Sequence, residues 1–304
     1  MPRCYRDESR VSLRHLPKLQ MWCRVGRFDA IMATAVGPAG WRQYWLGWGT
    51  GAAVQLEDNE IHLWLTDLDR VGPELISAYW QLMSQQERER NLRYRSEAGR
   101  AADCTTRALA RTVLSRYADV DPADWQFSRG RHGKPEIEAP AITLPLRFNL
   151  SHTRRYVVCG VGLRADLGID IEQTTRSNDL LAIVDRFFSK REVDDLKALA
   201  EGEQRGRFFD YWTLKEAYMK ASGEGIALGL GNFSFLFDGG GPISIEFSDK
   251  LQDRPDAWSF HLLSPVADHR LGVASRNGQG IRLRLFEGVP MAAAFSESVP
   301  PTLR

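Results

Sequence analysis

Apolar residues alternate through Ile61-His-Leu-Trp-Leu-Thr-Asp67, so that Ile61, Leu63 and Leu65 share one side of an extended chain and predict a strand. The period then lengthens. Pro73 opens a predicted helix with Leu75, Tyr79 and Leu82 on one side, and Ser84 followed by Glu87 has capping-box spacing for a second helix running toward Tyr94. A longer helix is expected over about residues 100–117, and the runs 125–128 and 134–137 on either side of a turn predict a hairpin. Strands are predicted at 147–150, 156–161 and 167–172, followed by helices at 180–188, 190–199 and 207–221, with Gly223 placed to end the last. Short β segments complete the series at 233–237, 243–247, 258–263, 271–274 and 281–286.

This pattern reads as α+β, with two tandem, pseudo-symmetric halves joined near residues 138–146 and a ligand cleft between them. The expected divisions are an N-terminal extension over 1–55, a first half over 56–145, a second over 146–289 and a frayed tail over 290–304. Within the extension, Trp41, Tyr44, Trp45 and Trp48 have the spacing of a short amphipathic helix.

With 43% hydrophobic and 26% charged residues, the 304-residue chain has a soluble globular composition, and its net charge of +1 gives no global pull toward nucleic acid or a membrane. Charge is uneven, however: eight arginines against four acids lie between Glu87 and Arg116, predicting a local basic surface. Cys4, Cys23, Cys104 and Cys159 lack the spacing of a zinc site or a disulfide framework, and no secretory signal or bilayer-length apolar run is evident. A reduced, cytoplasmic setting is the expectation.

In Gly168-Ile-Asp170-Ile-Glu172, the two acids project from one face of the predicted strand, about 7 Å apart along the chain, while Ile169 and Ile171 face a core. Such a pair is by itself an ordinary solvated face. On the following helix, Phe208, Tyr211, Trp212, Lys215 and Met219 form one broad stripe, with Glu216 and Lys220 together at its border. The bland reading of Glu216 and Lys220 is a surface ion pair, but a carboxylate beside a buried stripe incurs a desolvation cost that a charged ligand would offset. Magnesium takes oxygen ligands, so Asp170, Glu172 and Glu216 are its candidate donors, with Lys215 or Lys220 placed to neutralise phosphate oxygens.

Five segments in order carry a resemblance: Gly133-Lys134-Pro135, Phe148-Asn-Leu-Ser151-His152, Gly168-Ile-Asp170-Ile-Glu172, Arg186-Phe-Phe-Ser189-x-x-Glu192 and Trp212-x-x-Lys215-Glu216-Ala217-x-x-Lys220. Over residues 60–240 the chain resembles the Sfp-type phosphopantetheinyl transferases, in particular the Trp-x-x-Lys-Glu-Ala branch that often serves peptide and polyketide synthases. The resemblance implies a magnesium-dependent transfer of the phosphopantetheine arm from coenzyme A to a serine of an apo acyl, peptidyl or aryl carrier protein, releasing 3′,5′-ADP. It further implies metal ligation by Asp170, Glu172 and Glu216, a phosphate contact from Lys220, and binding of the nucleotide part by Lys134, Ser151 and His152. Glu216 is expected as general base, with Glu172 as the alternative. In the arginine-rich region the match is imperfect, since Glu87, Ala102 and Asp103 stand where relatives often carry basic or hydroxyl residues; Arg90, Arg100 and Arg111 are the candidates to contact coenzyme A phosphates instead. Ser189 and Glu192 have capping-box spacing, which favours a structural Glu192. A monomer would hold both sides of the cleft. The rivals are a coenzyme A-binding or carrier-docking protein without turnover, and a small-molecule phosphotransferase, the latter weakened by the absence of a phosphate-binding Gly-x-x-x-x-Gly-Lys-Ser/Thr loop.

Overall fold

The structure is a computed structural model that describes residues 54–130, 132–176, 180–237, 241–276, 280–292, 295–299 and 303. The N-terminal extension, apart from its last residues, and the Trp41–Trp48 aromatic stripe lie outside the described residues.

The α+β expectation holds. The chain runs β1 (Glu60–Asp67), α1 (Pro73–Leu82), α2 (Gln85–Asn91), α3 (Glu97–Leu114), β2 (Gln126–Arg129), β3 (Pro135–Ala139), β4 (Leu146–His152), β5 (Tyr156–Leu163) and β6 (Leu167–Gln173). It continues with α4 (Leu180–Phe187), α5 (Lys190–Ala198), α6 (Glu201–Ser222), β7 (Phe233–Leu236), β8 (Ser244–Phe247), β9 (Ser259–Leu263), β10 (His269–Ser275), β11 (Arg282–Glu287) and β12 (Ser296–Ser298). Both capping boxes form, at Ser84–Glu87 and Ser189–Glu192, and Gly223 ends α6 at φ 73°, in the left-handed region that glycine tolerates. Among the described residues no helix is long and apolar enough to cross a membrane.

Four layers stack along one direction. The outer helix α3 covers a five-stranded sheet in the order β12-β11-β1-β5-β4, with Leu109, Val113, Trp64, Phe148 and Val161 in the shared core. The opposite face of that sheet, carrying Ile61, Leu63, Leu65 and Val158, packs on a three-stranded sheet, β6-β10-β9, through Ile169, Ile171, Leu271 and Val273. The far face of the smaller sheet is covered by α6. This explains why β1 is buried on both sides although its hydrophobic residues alternate: Ile61, Leu63 and Leu65 face one core and Trp64 the other. Helix α6 is likewise enclosed, by β9 and β10 on one side and by α4, α5 and the β7–β8 hairpin on the other, so apolar residues surround it rather than line one stripe.

The larger sheet draws on distant parts of the chain. β4 and β5 belong to it rather than to the sheet that carries β6, and β11 joins it in parallel with β1, in the register Ile61↔Leu283 and Leu63↔Leu285. The fraying expected after residue 290 does not occur in the described part of the tail. Tyr79 Oη donates to the Pro290 carbonyl at 2.6 Å, Met291 is buried against Tyr79 and Leu82, and Phe295 meets Trp64 edge-on at 5.0 Å before β12 pairs with β11. These anchors were missed because three scattered apolar residues carry no period. Phe295→Ala is expected to lower unfolding free energy by about 2 kcal/mol, read as a shift of the urea midpoint at unchanged m-value.

Candidate active site

β6 is an edge strand. β10 pairs with one side of it, so the outward N–H and C=O groups of alternate residues need other partners. Side chains supply them. Asn149 Oδ1 accepts from Ile169 N at 3.0 Å and Ser151 Oγ accepts from Ile171 N at 3.1 Å. Lys134 Nζ donates to Leu167 O at 2.9 Å, and Lys220 Nζ to Ile169 O at 3.0 Å. Leu146 and Phe148 of β4 face the α3 core, which leaves the alternate residues Asn149 and Ser151 on the side from which β6 is reached.

Asp170 and Glu172 are buried on the α6 face of β6, opposite Ile169 and Ile171. The helix comes unusually close here. A Cβ on Gly168 would collide with the backbone of Ala217 and Ala221, and one on Gly272 would meet Thr213 O at 2.8 Å. The approach brings one face of α6 onto the acids. Trp212 Nε1 donates to Glu172 Oε1 at 3.0 Å, Lys220 Nζ lies 2.8 Å from Asp170 Oδ1, and the half-buried Glu216 sits one turn from each on the same face. Ser151 Oγ donates to Asp170 Oδ1 at 2.9 Å, and Arg176 Nη1 stands 3.2 Å from Glu172 Oε2.

The expected site residues therefore divide. Asp170 meets Lys220 and Ser151, and Glu172 meets Trp212, with Glu216 on the same face of α6 and His152, half-buried, at the end of β4. Lys134 is tied by its ammonium to Leu167 O and, at 3.4 Å, to Ala221 O, bracing the β2–β3 hairpin against β6 and α6; burial pushes its pKa down. Two expectations need correction. Lys215 does not reach the site: it is wholly buried, donates to Leu230 O and Phe233 O at 2.7 Å each, and pairs with the buried Glu192 at 2.8 Å. Burial pushes its ammonium pKa down against the pull of Glu192. Arg111 is also interior, donating to Trp125 O at 2.5 Å and to Glu87 Oε2 at 2.6 Å. Arg90 stays on the surface of α2, donating to Gln86 Oε1. Trp212, Arg176 and Asn149 were not singled out as site residues, although Trp212 lies one turn from Glu216 and that spacing was legible.

An all-oxygen set of two strand carboxylates and one helix carboxylate has the chemistry of a magnesium site. The arrangement is less complete than expected: among the described residues no group of three His, Cys, Asp or Glu side chains is gathered to hold a metal ion. Own-chain cations occupy that role, with Lys220 against Asp170 and Arg176 against Glu172.

Lys215→Ala strands Glu192 inside the core and is expected to cost about 4 kcal/mol of stability, while coenzyme A affinity of the folded fraction is retained. Chemical denaturation and calorimetric titration separate the two effects. Burial pushes the Glu87 carboxyl up, but Arg111 and the Ser84 N–H outweigh it, so its folded pKa lies below the ordinary value. Its stabilisation is complete above the unfolded value of about 4.3 and is lost as pH falls through the folded one. Glu87→Gln is therefore expected to cost about 3 kcal/mol at neutral pH, and the gap in thermal midpoint to narrow on acidification below about pH 4.

Comparison with known proteins covers the same elements. The family model described as 4'-phosphopantetheinyl transferase superfamily matches residues 166–274, which span β6, α6 and β10, and the model described as 4'-phosphopantetheinyl transferase, N-terminal, matches 73–161. The 4'-phosphopantetheinyl transferase HetI of Nostoc sp. is 35% identical over 172 residues, covering 57% of this chain and 72% of the relative. The 4'-phosphopantetheinyl transferase Sfp of Bacillus subtilis is 36% identical over 172 residues, or 56% and 74% of the two chains. A phosphopantetheinyl transferase of Thraustochytrium sp. is 30% identical over 231 residues, or 68% and 80%. With its paired acids on β6 facing Trp212 and Lys220 of α6 inside the matched region, the chain belongs to the 4'-phosphopantetheinyl transferase family.

Proposed function

We propose that this protein transfers the phosphopantetheine arm of coenzyme A to the serine hydroxyl of an apo acyl, peptidyl or aryl carrier protein, forming a phosphodiester and releasing 3′,5′-ADP. The observation that carries the reading is the facing of Asp170 and Glu172 on β6 by Trp212, Glu216 and Lys220 on α6, in a chain of this family. The carrier serine attacks phosphorus and its proton passes to a base. Glu172 is almost wholly buried, whereas Glu216 is half-buried and more open to an incoming hydroxyl, so Glu216 is the base. Lys220 uses two of its three donors on Ile169 O and Asp170 and keeps 28% of its side chain exposed, leaving a donor for a phosphate oxygen. His152, at the open end of β4, and Arg90 are the candidates to contact the nucleotide part.

Magnesium would be held by Asp170 and Glu172 with Glu216, and when bound it supplies charge neutralisation at the diphosphate. Both β6 and α6 come from one chain, so a monomer suffices for the reaction. Incubation of an apo carrier protein with coenzyme A, magnesium and this protein is expected to add one phosphopantetheine to the carrier mass. Chelation should abolish the gain and magnesium restore it. Glu216→Gln is expected to lower kcat by about 100-fold or more while leaving coenzyme A binding intact. Coenzyme A binding without mass gain across a varied carrier panel would instead identify a binding protein.

A further inference from the structure

Glu172 is 2% exposed, and both of its oxygens are held by this chain: Trp212 Nε1 donates to Oε1, and Arg176 Nη1 stands 3.2 Å from Oε2. The two contacts differ in commitment. Trp212 is fixed within α6 among Phe208 and the surrounding core. Arg176 follows β6 by three residues on a turn whose backbone is clamped from α6, since Arg205 Nε donates to Thr174 O at 2.6 Å and Arg205 Nη2 donates to Arg176 O. Beyond that clamp, the Arg176 guanidinium holds the site through one ion pair. Its side chain is 32% exposed, against 2% for Arg111. Structural cations elsewhere in the molecule are tied more fully, as Lys215 is by Leu230 O, Phe233 O and Glu192, and Arg111 by Pro122 O, Trp125 O and Glu87.

We propose that Arg176 is a resident counter-charge for Glu172, a positioning residue that neutralises the carboxylate while no divalent cation is bound and gives up Oε2 when one enters. The inference rests on the reading above that Asp170 and Glu172 accept such a cation. A buried carboxylate left without a positive partner is strongly disfavoured, so the unloaded site needs a cation of its own beside Glu172. A guanidinium and a metal ion at contact distance from the same oxygen repel each other, so the two are competitors. Lys220 against Asp170 and Arg176 against Glu172 supply positive charge where a divalent cation would bind. Lys220 is additionally tied to Ile169 O, which leaves Arg176 as the partner that exchanges.

Magnesium chloride titrated calorimetrically into the full chain tests this, with thermal unfolding measured in chelator and in saturating magnesium. Removing the competitor in Arg176→Gln is expected to tighten magnesium binding about five-fold, equivalent to about 1 kcal/mol. The same variant should unfold at a lower temperature than wild type in chelator, and saturating magnesium should close the gap. Arg176→Met, which keeps the apolar stem, carries the same expectation should the glutamine variant not fold, and Arg176→Lys should return toward wild type. Equal or weaker magnesium affinity in the charge-removed variants, or a stability deficit that magnesium does not close, overturns the proposal while leaving the metal reading in place. Wild-type protein that takes up no magnesium, or an Asp170→Asn variant that takes it up as well as wild type, overturns both.

Discussion

The open edge of β6 is the constraint on which the site depends. A strand buried between two layers cannot leave its outward backbone groups unpaired. Here no neighbouring strand meets them, and Asn149, Ser151, Lys134 and Lys220 do so side chain by side chain. Two of these side chains have a second duty. Ser151 and Lys220 each also contact Asp170 Oδ1, so the groups that seal the strand edge also orient the carboxylate between them. Scaffold and site are thus built from the same residues. A change at Ser151 or Lys220 alters backbone satisfaction and Asp170 together, and the two effects separate only when stability and turnover are measured side by side.

Buried charge elsewhere serves the frame. Glu192 caps α5, accepts from Phe235 N and pairs with Lys215, joining three elements at one carboxylate. Glu87 does the same for α2 and α3 through Arg111. Breaking such pairs is costly because the survivor has no water to turn to, which makes them junctions rather than binding groups. The acids of the site differ in that their cationic partners, Lys220 and Arg176, keep about a third of their side chains in contact with solvent.

Much of this was legible in the sequence wherever period and spacing carry the signal. The alternation at Ile61–Leu65, the two capping boxes, the β2–β3 hairpin and the Asp170/Glu172 pair all formed as read. Lys215 was misread because a helical wheel gives the direction of a side chain but not what stands there. Its stripe meets α4, α5 and the β7–β8 hairpin, and Glu192 waits in that core. Arg111 was misread for a related reason, since an arginine-rich helix looks basic until one of its members is found to face inward. Arg176 has no motif around it, and only the turn after β6 returns it to Glu172. The docked tail depends on isolated residues, Pro290, Met291 and Phe295, whose partners lie over two hundred positions earlier.

The parallel pairing of β11 with β1 ties the last part of the described chain to the first. During synthesis, β1 and β5 can meet as soon as residue 163 has left the ribosome, yet the other flank of β1 stays open until residues 282–287 emerge. For more than a hundred codons a nascent sheet rich in Ile, Leu and Trp carries an unmatched border. A chain cut short before β11 therefore leaves that flank of β1 exposed as an adhesive edge.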